Sequence, residues 1–312
     1  MAGMIVSIVL GLVALATIQV PVDSSRAIVG GTYEASGVAA VPKTTGVLFV
    51  SDSMSDAVLW MEMDASGVQQ GPAIRVPLGV SVPDPEAITF DGAWFYVASS
   101  QSEAALEKLK DPRESKGSKR SKRSKKDEEQ PAASGAPGLV RFKFDPATRA
   151  VSSVERVDDL GALLTAGVPE LARLAGNSGL NIEGLAWDPV RGRLLVGLRG
   201  PMSGADALVV PVTFEGGAFT AGALKVAPIV RLSLGGHAIR SVEYDADSKR
   251  FLIVAGAPET AERTDFALWE WDGTGAPRRL QTMHRDLKPE GIARVAGHTL
   301  VVCDSSRYLV VD

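Results

Sequence analysis

Residues 181–201, NIEGLAWDPVRGRLLVGLRGP, form a unit that the rest of the chain repeats, and the repeat restricts the fold more than any other property of the sequence. Glu183 opens an apolar run closed by Asp188-Pro189. Arg191-Gly192 then punctuates a turn before Leu194-Leu195-Val196, so the unit predicts a hairpin of two short strands. Four other segments align with it: Ser36-Gly37-Val38-Ala39 before residues 47–50, Glu86-Ala87-Ile88-Thr89 before 94–97, Arg240-Ser241-Val242-Glu243 before 251–254, and Glu290-Gly291-Ile292-Ala293 before 300–302. Their first residues stand 50, 97, 57 and 50 positions apart, and the long interval holds an insertion. Short strands recurring at roughly 40–50 residues are the signature of propeller blades rather than of a sandwich.

Each unit runs on into a third strand and in most cases a fourth, as at residues 58–63 and 74–78, or at 267–271 before the turn signal Asp272-Gly273. The last unit stops at residues 308–312, its third strand, while residues 26–33 read as a strand without a partner. The expected fold is therefore an all-β propeller of five four-stranded blades. The N-terminal strand completes the last blade and closes the ring, which removes the edges an open stack exposes. The 312 residues, with 32 glycines and 18 prolines for many tight turns, form one domain over 17–312.

Three segments depart from the repeat. Residues 5–16 are apolar except for Ser7 and end in Ala14-Leu15-Ala16, the small-x-small form of a signal-peptidase site. Residues 1–16 thus read as a signal peptide, though without a Lys or Arg ahead of the apolar run, and the protein is expected in the periplasm or outside the cell. Residues 101–137 read as a disordered basic loop inside the second blade: residues 103–130 hold ten Lys or Arg and seven Asp or Glu with almost no apolar surface to bury. Such a loop is either solvated or a contact for an anionic polymer or lipid. The apolar spacing of Leu160, Leu163, Leu164, Val168, Leu171 and Leu174, interrupted at Pro169, predicts one or two short helices on one face.

The net charge of −4 gives no reason to expect specific nucleic-acid recognition, and the chain is expected to be monomeric. The one cysteine, Cys303, lies in an apolar run and reads as a buried, inert thiol. Trp94, Trp187, Trp269 and Trp271 fall in strand runs and read as packing between blades. His284 to Glu290, HRDLKPE, nearly reproduces a protein-kinase catalytic loop, but the glycine-rich phosphate loop, the strand lysine and the DFG segment are missing and Gly291 replaces the final Asn.

Because inner strands line the channel of a propeller, equivalent strand ends converge, and the alignment places Ser36, Glu86, Glu183, Arg240 and Glu290 in one ring. Asp52, Ser99, Arg199 and Asp304 form a second tier, and His237 stands near as a potential general base. Converging carboxylates repel unless a cation neutralises them. Glu86, Glu183 and Glu290 are accordingly candidate ligands for a hard divalent cation such as Ca²⁺, while Arg199, Arg240, Ser36 and Asp304 are candidates for holding a small-molecule ligand. The same residues could instead tie blades together, the glutamates accepting backbone amides and Arg199 pairing with one of them, or hold a cation that activates water for ester or phosphoester hydrolysis. An interaction scaffold using the outer surface and the basic loop needs no central site.

Glu34-Ala35-Ser36-Gly37-Val38, Asn181-Ile182-Glu183-Gly184-Leu185, Gly197-Leu198-Arg199-Gly200-Pro201, Gly235-Gly236 through Ile239-Arg240, and Lys288-Pro289-Glu290-Gly291 together resemble the bacterial domain-of-unknown-function family 3616, from about Tyr33 to the C-terminus without the basic insertion. The resemblance implies a propeller-like fold and carries no established activity. More remotely, the Glu-Gly-(apolar)-Ala-Trp-Asp run is similar to the start of calcium-dependent lactonase propellers and of phytase-like esterase propellers. The likeness to the lactonases implies a metal ligand at Glu183 and, less well, at Glu290. Arg240-Ser241 stands where those enzymes have an Asn-Gly strand motif that supplies further ligands.

Overall fold

The computed structural model describes residues 19–102, 138–176, 178–259, 261–262 and 264–311. The expected signal peptide and the charged part of the insertion lie outside them. Two short N-terminal strands, β1 (Gln19–Val20) and β2 (Arg26–Ala27), precede five sheets. Blade 1 is β3 (Ala35–Ala40), β4 (Val47–Ser51), β5 (Ala57–Met61) and β6 (Ile74–Pro77). Blade 2 is β7 (Pro85–Phe90), β8 (Phe95–Ser99), β9 (Gly138–Asp145) and β10 (Ala150–Asp158). Helices α1 (Leu160–Gly167) and α2 (Pro169–Ala175) lead into blade 3: β11 (Asn181–Asp188), β12 (Arg193–Ser203) and β13 (Asp206–Phe214), whose outer edge is shared by β14 (Leu224–Val226) and β15 (Val230–Leu232). Blade 4 is β16 (Ala238–Asp245), β17 (Arg250–Gly256), β18 (Phe266–Trp271) and β19 (Arg278–Met283), and blade 5 begins with β20 (Pro289–Val295), β21 (His298–Cys303) and β22 (Arg307–Val311).

Five four-stranded blades form the ring, and the inner strands touch in the closed order β3, β7, β11, β16, β20 and back to β3. The closure is the expected one. β2 pairs antiparallel with β22, Arg26 opposite Tyr308, and supplies the fourth strand of blade 5. That strand is only two residues long; the chain then crosses to blade 1, where the Val29 carbonyl accepts from the Ala73 amide at 2.7 Å. The sequence did not indicate β1, which pairs parallel with β19 and gives blade 4 a fifth strand.

The burial pattern follows from the stacking. A strand packed on both faces must be apolar at every position, so β4, β5 and β8 are buried throughout, whereas β6, β10 and β19 at the rim are mostly exposed or half-buried. Five hydrophobic clusters fill the five blade interfaces. The helical insertion joins one of them: Leu160, Leu164 and Leu171 are fully buried between blades 2 and 3. Pro169 starts α2, where its missing N–H costs nothing. Cys303 is buried, and burial pushes its thiol far above the ordinary range. Trp271 is buried, and Trp94, Trp187 and Trp269 pack half-buried against the interface clusters.

At Gly37 and Gly291, near the axis, the inner strands approach so closely that a side chain has no room. A Cβ on Gly291 meets the Ser36 carbonyl oxygen at 2.7 Å, and one on Gly37 meets the Ala87 Cα at 2.8 Å. The glycine of the Glu-Gly motif is thus set by the neighbouring blade. Gly291→Ala is expected to cost about 1–3 kcal/mol in urea unfolding, whereas Gly222→Ala, with nothing within 4 Å, stays within about 0.5 kcal/mol of the parent. Equal midpoints for the two variants refute the close-approach account.

Candidate functional site

Each inner strand carries a β-bulge at the repeat's first residue. Pairing passes from Pro85 opposite Ser99 to Ala87 opposite Ala98, leaving Glu86 unpaired. Glu183, Arg240 and Glu290 are skipped in the same way in β11, β16 and β20, and in β3 the irregularity spans Ser36 and Gly37. A bulge turns the extra residue out of the alternation of the strand, and here all five aim at the axis. Ser36, Glu86, Glu183, Arg240 and Glu290 line one central cavity of about 310 Å³, together with Asp52, Arg199 and Asp304. A second bulge, on β12, frees Arg199: Asn181 pairs with Gly200 and Ile182 with Leu198.

The structure adds a tier that the alignment did not single out. Two positions before each ring residue stand Glu34, Asp84, Asn181, Ala238 and Lys288, and Glu34 and Lys288 line the cavity. Asp84 and Lys288 both adopt left-handed backbone, at φ 51° and 48°, immediately before a proline. The carbonyls of Glu34, Asp84 and Lys288 accept the amides of Asp52, Ser100 and Asp304 at 3.2, 3.0 and 3.0 Å. The repeated Xaa-Pro-Glu of blades 2 and 5 was the available sequence signal. The tier also corrects one position: Ser100, not Ser99, is the equivalent of Asp52 and Asp304. The Ser99 hydroxyl is buried and donates to the Pro83 carbonyl at 2.5 Å, while Ser100 Oγ donates to Asp84 Oδ2 at 2.6 Å.

The charges divide into two arcs. On blades 3 to 5, Arg240, 8% exposed, donates through Nε to Glu290 Oε2 at 2.6 Å and through Nη1 to Glu183 Oε1 at 3.3 Å, and Nη2 also binds Glu290. Arg199 Nη1 donates to the same Glu183 Oε1 at 2.9 Å. Burial works against the Arg240 charge, and the Glu183 and Glu290 carboxylates outweigh it, raising the Arg240 pKa. Burial pushes Glu290 up to about 7 against the pull of Arg240. Lys288 Nζ and Asp304 Oδ2 pair at 2.9 Å. Glu183 and Glu290, expected as metal ligands, are therefore occupied by guanidinium groups. The reason is spatial: Arg240, on the blade between theirs, reaches both.

The other arc, on blades 1 and 2, is acidic. Oxygens of Asp52, Asp84 and Glu86 lie within 4.8 Å of one another. Among the described residues no Lys, Arg or His forms an ion pair with Glu34, Asp52 or Glu86. Burial, then the hydrogen bond and charge of Glu34, then Asp84 and Asp304, push Asp52 up to about 7. Burial, and after it the charges of Glu183, Asp84, Glu290 and Asp52, push Glu86 well above the ordinary carboxylate range. The donor set, three carboxylates around one point, suits a hard cation that takes oxygen ligands.

No histidine is among the lining residues. His237 stands beside Thr264 (Nε2 to Oγ1, 3.5 Å), and burial and Arg279 push its pKa down. In the kinase-like stretch His284 accepts the Asp286 amide at the start of a short 3-10 turn, Leu287 is buried, and Lys288 and Glu290 serve the ion pairs above. Its likeness to a catalytic loop is a coincidence of a blade connection. Arg285, Thr264, Phe266 and Ala257 complete the cavity wall, positions not singled out from the sequence because they lie outside the repeated motif.

Fold and site together define a five-bladed β-propeller with a charged central pocket. Residues 168–298, from the second helix to the start of β21, match the model of the family described as "Protein of unknown function (DUF3616)". No curated protein sequence matches the chain. Solved structures that resemble it include the soluble aldose sugar dehydrogenase from Escherichia coli (9% identity, 92% of this chain and 97% of that one covered, TM-score 0.46). The pyranose dehydrogenase PQQ domain from Coprinopsis cinerea (9%, 91% and 94%, 0.47) and a GH43 β-1,3-galactosidase (8%, 92% and 94%, 0.47) are similar to a like degree.

Proposed function

We propose that this chain is a ligand-binding propeller that works outside the cytoplasm and whose central pocket takes a hard divalent cation, Ca²⁺ being the best match, on Asp52, Asp84 and Glu86, with the anionic group of a small ligand held across the pocket by Arg199. The carrying observation is the convergence of those three carboxylates, from two blades, within 4.8 Å of one another. Like charges so placed repel, and a cation between them relieves the repulsion. The left-handed backbone of Asp84, a conformation that non-glycine residues adopt at a cost, supports a functional reason for its placement. Apolar residues 5–16 support the exported setting, where Ca²⁺ sites of modest affinity are filled.

A second reading is favoured by Asp52. A carboxylate beside a bound cation can take a proton from a cation-bound water, which is the requirement for ester or phosphoester hydrolysis.

The test is the unfolding of the chain from residue 17 onward, in chelator and then in excess Ca²⁺ or Mg²⁺. A ligand that binds only the native state stabilises it by about 2.7 kcal/mol at a hundred times its Kd. The gain is expected with Ca²⁺ and is expected to vanish in Glu86→Gln and Asp52→Asn. No gain with either ion, or an equal gain in both variants, overturns the cation site. Ester turnover that survives both substitutions removes the hydrolase reading.

A further inference from the structure

A second cavity, of about 310 Å³, abuts the central one at Arg199. Arg199 lines both cavities, and on two chain segments the wall changes sides between adjacent residues: Arg199 faces the centre while Gly200 and Pro201 face the second cavity, and Ala257 faces the centre while Pro258 faces the second. One side chain and two chain segments therefore belong to the walls of both. The walls differ in chemistry. The central cavity is lined mostly by carboxylates and bases, whereas the second has Leu174, Pro201, Met202 and Pro258 in its wall, and Glu259 is its one charged residue besides Arg199 among the described residues.

Arg199 is suited to hold a ligand at this junction. Among the described residues only its Nη1 is engaged, by Glu183, and the side chain is 29% exposed, so Nη2 is left for an incoming anion. Gly200 leaves the neighbouring stretch of wall without a side chain; a Cβ there meets Glu259 Oε2 at 3.3 Å. Glu259 repels a second negative charge, and the apolar walls favour hydrocarbon there.

We infer that the ligand of the central pocket is an organic monoanion with an apolar substituent, its acidic head on Arg199 across the pocket from the cation and its substituent in the cavity walled by Leu174, Pro201, Met202 and Pro258. This rests on the central pocket's being a ligand site. It goes further in giving the ligand two ends and the second cavity a purpose.

The experiment compares acetate and hexanoate binding by calorimetry, and the Ca²⁺-dependent rise in melting temperature, in the parent, Met202→Asp, Pro258→Asp and Arg199→Gln chains. Each methylene moved from water into an apolar wall tightens binding severalfold, so hexanoate is expected to bind at least about tenfold more tightly than acetate. Met202→Asp and Pro258→Asp are each expected to abolish that preference while the Ca²⁺ response persists, which also shows that the variant is folded. Arg199→Gln weakens both acids. Equal affinity for the two acids in a parent chain that responds to Ca²⁺ overturns the two-ended ligand and leaves the cation site standing. A chain-length preference that survives both aspartate substitutions also overturns it. A preference lost in both variants, in a chain that gives no Ca²⁺ response, supports the second cavity and sinks the cation site instead.

Discussion

Replacing Arg240 by Met is expected to remove about 3–5 kcal/mol of stability, the cost of leaving a buried charge without its partner. Two carboxylates pair with this guanidinium, Glu183 on blade 3, which also has Arg199, and Glu290 on blade 5, and all three side chains are no more than 12% exposed. The cation thus joins three of the five blades at the axis. Urea unfolding at neutral pH measures the loss. Adding Glu290→Gln to the variant is expected to recover most of it, because Glu183 keeps Arg199 and no buried carboxylate is then left without its partner. Arg199→Met is expected to cost less, since Arg199 is 29% exposed and Glu183 keeps Arg240 when it is gone. A loss below about 1 kcal/mol in Arg240→Met shows that the trio does not hold the ring together.

Calcium affinity is expected to rise by roughly twentyfold or more between pH 5.5 and 7.5. Asp52 titrates near 7 and Glu86 well above the ordinary range, so protons compete with the cation across that interval, and each proton displaced adds up to tenfold per pH unit. Without the cation, the two groups act on stability in the direction set by a raised folded-state pKa. Their contribution is complete below the unfolded value of about 4 and is lost as pH climbs through about 7 for Asp52 and higher for Glu86. Melting temperature in chelator should therefore fall over that range from this contribution, Ca²⁺ should reverse the fall, and Asp52→Asn should flatten it. Calorimetry in buffers of different ionisation enthalpy reads the released protons directly. An affinity that does not change with pH means that neither carboxyl binds the ion.

The two expectations concern the two arcs of one ring, and the sequence made the ring legible before it made the arcs. The spacing of Ser36, Glu86, Glu183, Arg240 and Glu290 was enough to bring all five to one cavity. Alternation of apolar residues could not show that each occupies a bulge, yet the bulge is what turns them toward the axis. A one-residue slip took Ser99 for Ser100, as expected where two serines are adjacent and successive side chains point to opposite faces. The two-residue strand β1 had no pattern to read, because its place on blade 4 depends on a free edge of β19.

The blade count, the closure by the N-terminal strand, the helical insertion and the membership of the central ring were determined by the sequence itself, because strand periodicity, turn residues and repeat spacing are local properties written along the chain. Only the tertiary structure decided which carboxylates are neutralised and which are left together. Arg240 reaches Glu183 and Glu290 because its blade stands between theirs, while Asp52, Asp84 and Glu86 gather on the far arc with no base in reach of Asp52 or Glu86. Electrostatic pairing falls off over a few ångströms through space, and a distance across the ring is not encoded in a distance along the chain.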